Sequence, residues 1–244
     1  MDKKYKYFIL IFILIIIYLY YTINIKVKET FSNKNDAYVI NLDSRPDRIE
    51  KIINNFSKYL NIYRVSAIRD KNSAKGCASS HISVIKMAKE KKLPTVLVLE
   101  DDCVPTKDFD KWPKIKEWLD SNKDKWDLYV GGNSHYSWGD KSTIKPLCKL
   151  DSIKLYKTKT QTSHFFYWNS RAYDTYLEME KTLDNEIADL YANKRNLIII
   201  TSVPFIAVQA KDYSDIEKKD VDYTDYFEKT KKIISSVENN EICL

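Results

Sequence analysis

The stretch TVLVLEDDCVPT, residues 95–106, says most about the class of fold. An apolar, mostly branched run ends abruptly in three carboxylates, those of Glu100, Asp101 and Asp102. A short run that is apolar throughout is typical of a strand buried on both faces. Adjacent carboxylates at the end of such a strand repel one another unless a positive group joins them. The stretch therefore predicts a central strand with a cation or a basic side chain at its carboxyl end.

The chain on both sides of this strand alternates between strand and helix patterns. Ahead of it come the strand AYVINL (37–42), a helix with an apolar stripe from Ile49 to Leu60, the strand NIYRVSAI (61–68) and the helix SSHISVIKMAKE (79–90). After it come the strands WDLYVGG, SIKLYKT, SHFFYWN and NLIIITSV, and the helix RAYDTYLEMEKTL. The βαβαβ order predicts an α/β fold with a mostly parallel central sheet and right-handed crossovers.

Composition places the chain among globular proteins and excludes several other classes. Of the 244 residues, 44% are hydrophobic and 30% are charged, which is typical of a folded domain and not of a disordered one. With only 4 glycines and 6 prolines, a collagen-like or low-complexity chain is excluded. The net charge is +6, but the lysines are spread along the chain and are not grouped beside aromatic residues. We therefore expect no nucleic-acid partner.

The N-terminus carries the pattern of a membrane span. The segment FILIFILIIIYLYYTINI, residues 8–25, is apolar over the length that a helix needs to cross a hydrocarbon core of ~30 Å. Tyrosines crowd one end of it, and no A-x-A-like cleavage step follows. We predict a tail over 1–7, a transmembrane helix over 8–25 and a polar stem over 26–36. The expected protein is single-pass and type II, with its domain in an ER- or Golgi-like lumen.

Cysteine and histidine give no pattern of a metal site. The four cysteines, Cys77, Cys103, Cys148 and Cys243, form no CxxC pair, so zinc is not expected and disulfides stay open. The three histidines, His81, His135 and His164, are too scattered in sequence for a histidine site.

The acidic run has the ligand chemistry of a hard divalent cation. In parallel sheets, ligands bind outside the carboxyl ends of the strands, which is where Glu100, Asp101 and Asp102 fall. Oxygen-only ligands suit Mg²⁺ or Mn²⁺ bound together with substrate phosphates. The alternative is that the acidic residues only end the strand and solvate its loop.

The segment NLDSRPDR, after the first strand, lies beside the same edge by the same rule. It supplies four candidate contacts for a nucleotide: Asn41, Asp43, Arg45 and Arg48. The two arginines are candidates for phosphate or base contacts, and surface solvation with pairing to Asp47 and Glu50 is an equal alternative. The helix that follows should begin here, since Ser44 and Asp47 have capping-box spacing and Pro46 suits a first turn.

The segment GCASSH, residues 76–81, predicts an anion site at a helix start. Gly76 is expected in a turn, with Ser79, Ser80 and His81 at the N-terminus of the second helix. Free backbone N–H groups and the helix dipole attract anions at such a position. Helix capping alone would also explain the serines.

Five quoted segments together resemble glycosyltransferase family 25, the lipooligosaccharide and procollagen galactosyltransferase-like enzymes. In order they are YVINLDSRPDRIEKI, GCASSHISVIKMA, VLVLEDDC, TSHFFYWNSRA and VPFIAVQAKDYSDI. The resemblance implies a glycosyltransferase domain of GT-A type over 37–216, followed by a polar or helical tail over 217–244. It also implies a nucleotide-sugar donor, usually a UDP-hexose, and inverting, metal-assisted transfer.

The resemblance also assigns roles at the acidic run. It makes Asp102 a direct ligand of Mn²⁺ or Mg²⁺, with Glu100 contacting the metal or the ribose and Asp101 in support. Ser80 and His81, in the segment similar to the family's G-C-x-x-S-H motif, become contacts of the donor. A divalent ion there would stabilise the leaving diphosphate as a Lewis acid.

Inversion requires a base for the acceptor hydroxyl, and the segment LDNEIAD (183–189) offers carboxylates for it. The family has an aspartate in this neighbourhood, so Asp184 is the candidate base and Asp189 is the alternative. A helix N-cap is the competing role for Asp184. Thr162 and His164, in the preceding motif, are expected to line the pocket.

The expected activity is transfer of a hexose, galactose or glucose first, from a UDP-sugar to a hydroxyl of a glycan, glycolipid or protein. A membrane-anchored, catalytically inactive nucleotide-sugar-binding protein of the same fold is the alternative. A metal-dependent phosphoesterase would need further carboxylates or histidines to complete a two-metal site, and the sequence does not place them.

Overall fold

The computed structural model describes residues 35–183, 188–215 and 217–243. The strands are β1 (Asp36–Asn41), β2 (Asn61–Ser66), β3 (Thr95–Glu100), β4 (Cys103–Pro105), β5 (Leu128–Val130), β6 (Lys145–Leu150), β7 (Ile153–Thr158), β8 (Phe165–Asn169), β9 (Ile199–Val203), β10 (Ala207–Gln209), β11 (Asp212–Ser214) and β12 (Lys219–Val221). The α-helices are α1 (Pro46–Phe56), α2 (Ser73–Glu90), α3 (Trp112–Ser121), α4 (Tyr173–Leu177), α5 (Ala188–Lys194) and α6 (Thr224–Ser235). Short 3₁₀ turns cover Phe109–Lys111, His135–Trp138, Ser170–Ala172 and Glu178–Thr182.

Eight of these strands form one sheet in the order β2-β1-β3-β8-β5-β9-β7-β6. β1 and β3 pair in parallel, as do β5 and β9, while β8 runs antiparallel to both β3 and β5. β7 is likewise antiparallel to β9 and to β6. Most strands therefore point the same way. The α/β class and the large, mostly parallel central sheet are confirmed, with β7 and β8 as reversed strands that the sequence pattern did not predict.

The predicted central strand is β3, and both of its faces are covered. Leu97 and Leu99 pack in one apolar cluster with Phe56 of α1, whereas Val96 and Val98 pack in a second cluster with helix α2. Alternate residues of a strand point to opposite faces, so an unbroken apolar run is what burial between two helical layers requires.

Helix α1 begins one residue later than the predicted capping box allows. Its N-cap is Arg45, Pro46 occupies the first turn, and no side chain caps the helix. Ser44 instead accepts a hydrogen bond from Arg69, and Asp47 pairs with Arg45 at 3.2 Å. The capping-box prediction is therefore wrong, because both of its side chains have charged partners outside the helix.

Helix α2 begins at Ser73, well before the predicted start. Its cap is Asn72, whose side chain accepts from the backbone N–H groups of Ala74 and Lys75. Gly76 is helical, and a Cβ there would lie 2.7 Å from the carbonyl oxygen of Ile68. Gly76 therefore allows close packing and makes no turn. The predicted helix start at Ser79–His81 is wrong, since these residues lie inside the helix.

No helix within residues 35–183, 188–215 and 217–243 is long and apolar enough to cross a membrane. The prediction of a single-pass type II membrane localisation is contradicted by this finding. The predicted span itself, residues 8–25, lies outside the described residues, as do the tail and most of the stem.

The C-terminal segment belongs to the compact unit that begins at Ala37. It contributes β12 and α6, and Phe227 and Ile234 of α6 are buried. A disulfide joins Cys148 of β6 to Cys243, closing a sequence separation of 95 residues. The segment predicted as a polar or helical tail, 217–244, contains one strand and one helix over its described part.

Candidate functional site at the carboxyl ends of β1 and β3

The acidic run lies where two parallel strands end together. β1 and β3 are in register with Ile40 opposite Glu100, so Asn41 and Asp101 come next to each other. Asn41 Nδ2 donates to Asp101 Oδ2 at 2.8 Å. This is the edge that the rule for open α/β sheets predicts for ligands.

Asp101 is held by the protein itself. Besides Asn41, it accepts a hydrogen bond from Arg48 Nη1 at 2.9 Å, so both of its oxygens have partners. Burial raises the pKa of Asp101, against the opposing effect of the hydrogen bond from Asn41 and the charge of Arg48. Arg48 is thus the positive group that the sequence predicted beside these carboxylates, and it pairs with Asp101.

The two arginines after β1 are paired with carboxylates of the loop around β11. Arg45 Nη1 lies 2.9 Å from Asp215 Oδ2, and Arg48 lies within 4.0 Å of both Asp212 and Asp215. Arg48 also donates to the carbonyl of Tyr213. Arg45 keeps the predicted pairing with Asp47, whereas the buried Arg48 instead holds Asp101.

Asn41 and Asp43 are engaged by Arg64 of β2. Arg64 Nε donates to Asn41 Oδ1 at 2.8 Å, and its Nη2 group pairs with Asp43. Ser66 Oγ donates to Asp43 at 3.0 Å. Hydrogen bonding to Arg64 lowers the pKa of Asp43. Both side chains therefore stabilise the loop that follows β1.

Glu100 accepts hydrogen bonds from two elements on different sides of β3. His81 Nε2 of α2 lies 2.9 Å from Glu100 Oε1, and Ser163 Oγ, just before β8, donates to the same oxygen at 2.6 Å. Burial alone would raise the pKa of Glu100, but the hydrogen bonds from His81 and Ser163 outweigh it and hold that pKa at about 2. Glu100 therefore stays ionised.

Asp102 differs from Asp101 in that only one of its carboxylate oxygens accepts a hydrogen bond from the described residues. Its Oδ2 accepts from Gln209 Nε2 at 2.7 Å, while Oδ1 is buried and has no hydrogen-bond partner among the described residues. Burial, reinforced by the charge of Glu100, raises the pKa of Asp102 to about 7. A buried, orphaned carboxylate oxygen beside a second carboxylate fits a hard divalent cation.

A second group of possible metal ligands lies next to Glu100. Donor atoms of Cys77, His81 and Glu100 all lie within 4.8 Å of one another. Thiolate and imidazole suit softer ions such as Zn²⁺ and not Mg²⁺. The expectation that no cysteine belongs to a possible metal site is therefore corrected, because α2 brings Cys77 and His81 to one face, one turn apart.

Ser80 lies inside helix α2, and its hydroxyl group is hydrogen-bonded to the backbone of the protein. Its hydroxyl donates to the Gly76 carbonyl at 2.7 Å and accepts from the backbone N–H of Ile68 at 2.8 Å. Ser80 therefore fixes the loop after β2 against the helix, in the position where a donor contact was expected.

A first cavity of about 500 Å³ opens beside the acidic run. Its wall includes apolar residues of β1 and the loop after β2, the N-terminal turn of α2, and the carboxylates of the acidic run. Four cationic side chains also line it: Arg48, Arg69, Lys71 and Lys218. Of the predicted nucleotide contacts, Arg48, Ser80 and Asp101 line this cavity, and Asn41, Asp43, Arg45 and His81 are not among its lining residues.

A second cavity of about 430 Å³ adjoins the first. The two share Cys77, Glu100 and Gln209 in their walls. The remaining lining residues of the second cavity are Ala74, Ser134, Trp138, Gln161, Thr162, Ser163, Ala188, Glu217, Tyr223 and Tyr226. Two small molecules, one bound in each cavity, would therefore lie next to each other at the end of β3.

The candidate bases are only partly described. Asp184 lies outside the described residues, and Asp189 lies in α5, whose first residue Ala188 lines the second cavity. Thr162 lines that cavity as expected. His164 does not, because it is buried against Phe227, and burial lowers its pKa to about 4.

Several site residues were given no role by the sequence analysis, although two of them lie in segments that carry the family resemblance. Gln209 reaches Asp102 because β10 pairs with β4, which follows the acidic run. Ser163 reaches Glu100 because β8 starts where β3 ends. Gly132 contributes by its small size, since a Cβ there would lie 2.1 Å from the Ala207 carbonyl oxygen. Only the glycine pair after β5 could have pointed to such close packing.

Comparison with protein families matches residues 71–184 to glycosyltransferase family 25, described as LPS biosynthesis protein. This match covers a little under half of the chain, includes α2, β3 and β8, and confirms the resemblance of the sequence motifs. No curated protein matches the chain.

Solved structures give weaker similarity. A glycosyltransferase involved in the glycosylation of the major capsid of PBCV-1 shares 12% identity, with 62% of this chain and 68% of that chain covered and a TM-score of 0.38. Mannose-1-phosphate geranyltransferase from Thermus thermophilus shares 9% identity, with 68% and 72% covered and a TM-score of 0.41. Mouse xyloside xylosyltransferase 1 shares 10% identity, with 85% and 71% covered and a TM-score of 0.31. These scores are too low to carry any conclusion about function.

Proposed function

We propose that this chain, a glycosyltransferase by its family 25 match over residues 71–184, moves a hexose from a UDP-sugar to an acceptor hydroxyl. Galactose or glucose is the proposed sugar, and a glycan, glycolipid or protein is the proposed acceptor. The observation that carries the proposal is the pair of cavities that meet at Glu100 and Gln209. A two-substrate transfer needs two adjoining sites with the reacting atoms between them.

The first cavity supports a nucleoside diphosphate. Ile40, Leu42 and Ala67 provide an apolar wall that suits a base, and the cationic side chains suit phosphates. Ser73, in the first turn of α2, also lines it, so the positive end of the helix dipole faces this cavity. The predicted helix-terminus anion site is thus replaced by one at the true start of α2.

Asp102 and Glu100 are the residues that would hold Mn²⁺ or Mg²⁺. Asp102 offers its Oδ1, which has no hydrogen-bond partner among the described residues, and Glu100 offers a carboxylate whose pKa is lowered to about 2. A divalent ion bound here would offset the negative charge of the diphosphate leaving group. Asp101 supports the site by fixing the backbone between them through Arg48 and Asn41.

The transfer breaks the bond between the anomeric carbon and the diphosphate and forms one to the acceptor oxygen. The acceptor proton passes to a carboxylate, for which we propose Asp184, with Asp189 as the alternative. Ala188 lines the second cavity, which supports a base in this neighbourhood. Attack from the second cavity, opposite the nucleotide, would invert the anomeric configuration.

The test is UDP binding and UDP release by the purified protein with UDP-galactose and UDP-glucose, with and without Mn²⁺ or Mg²⁺. Asp102→Asn removes the charge that the ion needs and should lower metal-dependent UDP affinity and turnover by about 10²-fold or more. Asp151→Asn is the matched control, since Asp151 is an exposed acid in the β6–β7 turn and should change neither.

Equal UDP affinity in EDTA and in Mn²⁺ would remove the metal role assigned to Asp102. Metal-dependent UDP binding without transfer from any nucleotide sugar would instead favour the inactive binding protein. For an active enzyme, NMR of the product gives the anomeric configuration, and retention would contradict the inverting mechanism.

A further inference from the structure

The second cavity is lined by three aromatic side chains, of which two are exposed and the third, Tyr223, packs partly against the core. Trp138, Tyr223 and Tyr226 all line this cavity, and Trp138 is 80% exposed. The rings of Trp138 and Tyr226 lie 6.1 Å apart, and those of Tyr223 and Tyr226 lie 6.2 Å apart, in edge-to-face geometry. These three residues are called the aromatic platform below.

The aromatic platform is held in place from two sides. The turn His135–Trp138 packs against helix α6, and the neighbouring Tyr136 is buried with its hydroxyl bonded to Thr143 and to the backbone N–H of Lys159. Tyr223 donates to Glu217, which also pairs with Lys219 at 2.7 Å. Trp138 is therefore presented to solvent by an anchored turn.

The polar side chains that line this cavity are neutral or acidic. Ser134, Gln161, Thr162, Ser163 and Gln209 offer neutral hydroxyl and amide groups, and Glu217 and Glu100 offer carboxylates. Among the described residues that line the cavity, none is lysine or arginine. A phosphate-bearing ligand is thus disfavoured, and a neutral ligand with many hydroxyl groups is favoured.

We propose that the second cavity binds a saccharide acceptor, with one pyranose ring stacked on Trp138 and its hydroxyls bonded to the neutral polar side chains. The C–H bonds on one face of a pyranose carry partial positive charge, which complements the negative face of the indole ring. This inference rests on the proposed function, since it identifies the acceptor of the same transfer.

A saccharide fits these residues better than a peptide does. A peptide acceptor needs a strand edge or backbone partners to hold its main chain, whereas this wall is built mainly from side chains with hydroxyl, amide and aromatic groups. Tyr223 and Tyr226 lie beyond the 71–184 family match, whereas Trp138 lies within it, so the aromatic platform combines both parts of the chain.

The experiment measures glycoside and UDP binding on the same purified proteins. The probes are methyl β-D-galactopyranoside, methyl β-D-glucopyranoside and methyl α-D-mannopyranoside, followed by saturation-transfer NMR and by tryptophan fluorescence. UDP binding is measured in Mn²⁺. Of the five tryptophans, Trp112, Trp118, Trp126 and Trp168 are buried, so a sugar-dependent fluorescence change should come from Trp138.

At least one glycoside should bind the unchanged protein, and Trp138→Ala should weaken that binding about 10-fold or more while UDP affinity stays the same. Trp138→Phe keeps an aromatic face and should restore most of the glycoside affinity while losing the fluorescence change. Ile242→Ala is the matched control, because Ile242 is an exposed apolar residue outside both cavities and should affect neither ligand.

Three outcomes would overturn the saccharide assignment while UDP still binds with metal. In the first, none of the three glycosides binds. In the second, a glycoside binds but Trp138→Ala does not weaken the binding. In the third, a peptide that contains serine or threonine binds and depends on Trp138, whereas the glycosides do not bind. Loss of metal-dependent UDP binding in the unchanged protein would instead contradict the proposed function, so the two failures are distinguishable.

Discussion

The two cavities share a wall but differ in charge. The first cavity is lined by five carboxylates and by four cations, Arg48, Arg69, Lys71 and Lys218, whereas the described lining of the second contains two carboxylates, no cation and the aromatic platform. A site for a doubly charged diphosphate must offset charge, and a site for a neutral sugar must offer hydrogen bonds and an apolar face. The net charge of +6 therefore says little about the partners of this protein, because the local placement of charge selects them.

The residues around the two cavities also fall into two groups. Some have side chains that are bonded within the protein, and others have an atom or a ring that is available to a ligand. Both carboxylate oxygens of Asp101 accept hydrogen bonds, from Asn41 and from Arg48, and Asn41 in turn accepts one from Arg64. Asp102, in contrast, keeps a buried oxygen without a hydrogen-bond partner among the described residues, and Trp138 keeps most of its ring in solvent. In a folded protein, buried polar atoms are normally bonded and large apolar rings are normally covered, so Asp102 and Trp138 are candidates for contact with a ligand.

The largest effect is expected at the candidate base, which would separate turnover in one cavity from binding in the other. Asp184→Asn should slow sugar transfer by about 10²–10⁴-fold, because the acceptor proton loses its carboxylate, while metal-dependent UDP binding stays nearly intact. Steady-state transfer and UDP titration on one preparation measure both. Asp189→Asn is measured in the same way. The base is the residue whose substitution slows sugar transfer but leaves UDP binding intact. If neither variant slows transfer, the base lies elsewhere.

The next largest effect is expected on stability at Arg48, whose side chain forms an ion pair with Asp101 inside the protein. Arg48→Ala leaves the buried Asp101 carboxylate without its ion-pair partner, which should lower the free energy of unfolding by about 3–5 kcal/mol. Urea unfolding followed by circular dichroism measures the change. Arg45→Ala is the control, since Arg45 lies nearer the surface and pairs with Asp47 and Asp215. Equal losses in the two variants would contradict the structural role given to Arg48.

The smallest effect is expected at a single cation of the first cavity. Lys71→Ala should weaken UDP binding about 10-fold, as for the loss of one charged hydrogen bond, and should leave glycoside binding unchanged. Raising the salt concentration should also reduce UDP affinity, because screening weakens the attraction between the cations and the charged UDP but does not act on a neutral glycoside. Lys89→Ala, at the far end of α2, is the control. Isothermal titration with each ligand measures both affinities, and a shared salt dependence would contradict the contrast between the cavities.

Local sequence patterns were enough to predict the individual elements and the chemical centre. An apolar run followed by carboxylates predicted β3, and apolar periodicity predicted α1 and most of the strands. These features depend on neighbours within a few residues, which a pattern can record. The motifs also supported the family resemblance over 71–184. Helix starts were less well predicted, because Asn72 and Arg45 are the N-caps of α2 and α1 although other residues nearby had the expected capping pattern.

The grouping of these residues into a site, in contrast, came from the packing of distant segments. The insertion of β8 between β3 and β5 brings Ser163 to Glu100, and the pairing of β10 with β4 brings Gln209 to Asp102. Helix α6 brings Tyr226 beside Trp138, which lies far earlier in the chain. Such contacts depend on strand order and on packing between segments far apart in sequence. Local periodicity carries no information on either, so the division into a charged and an aromatic cavity exists only in the folded protein.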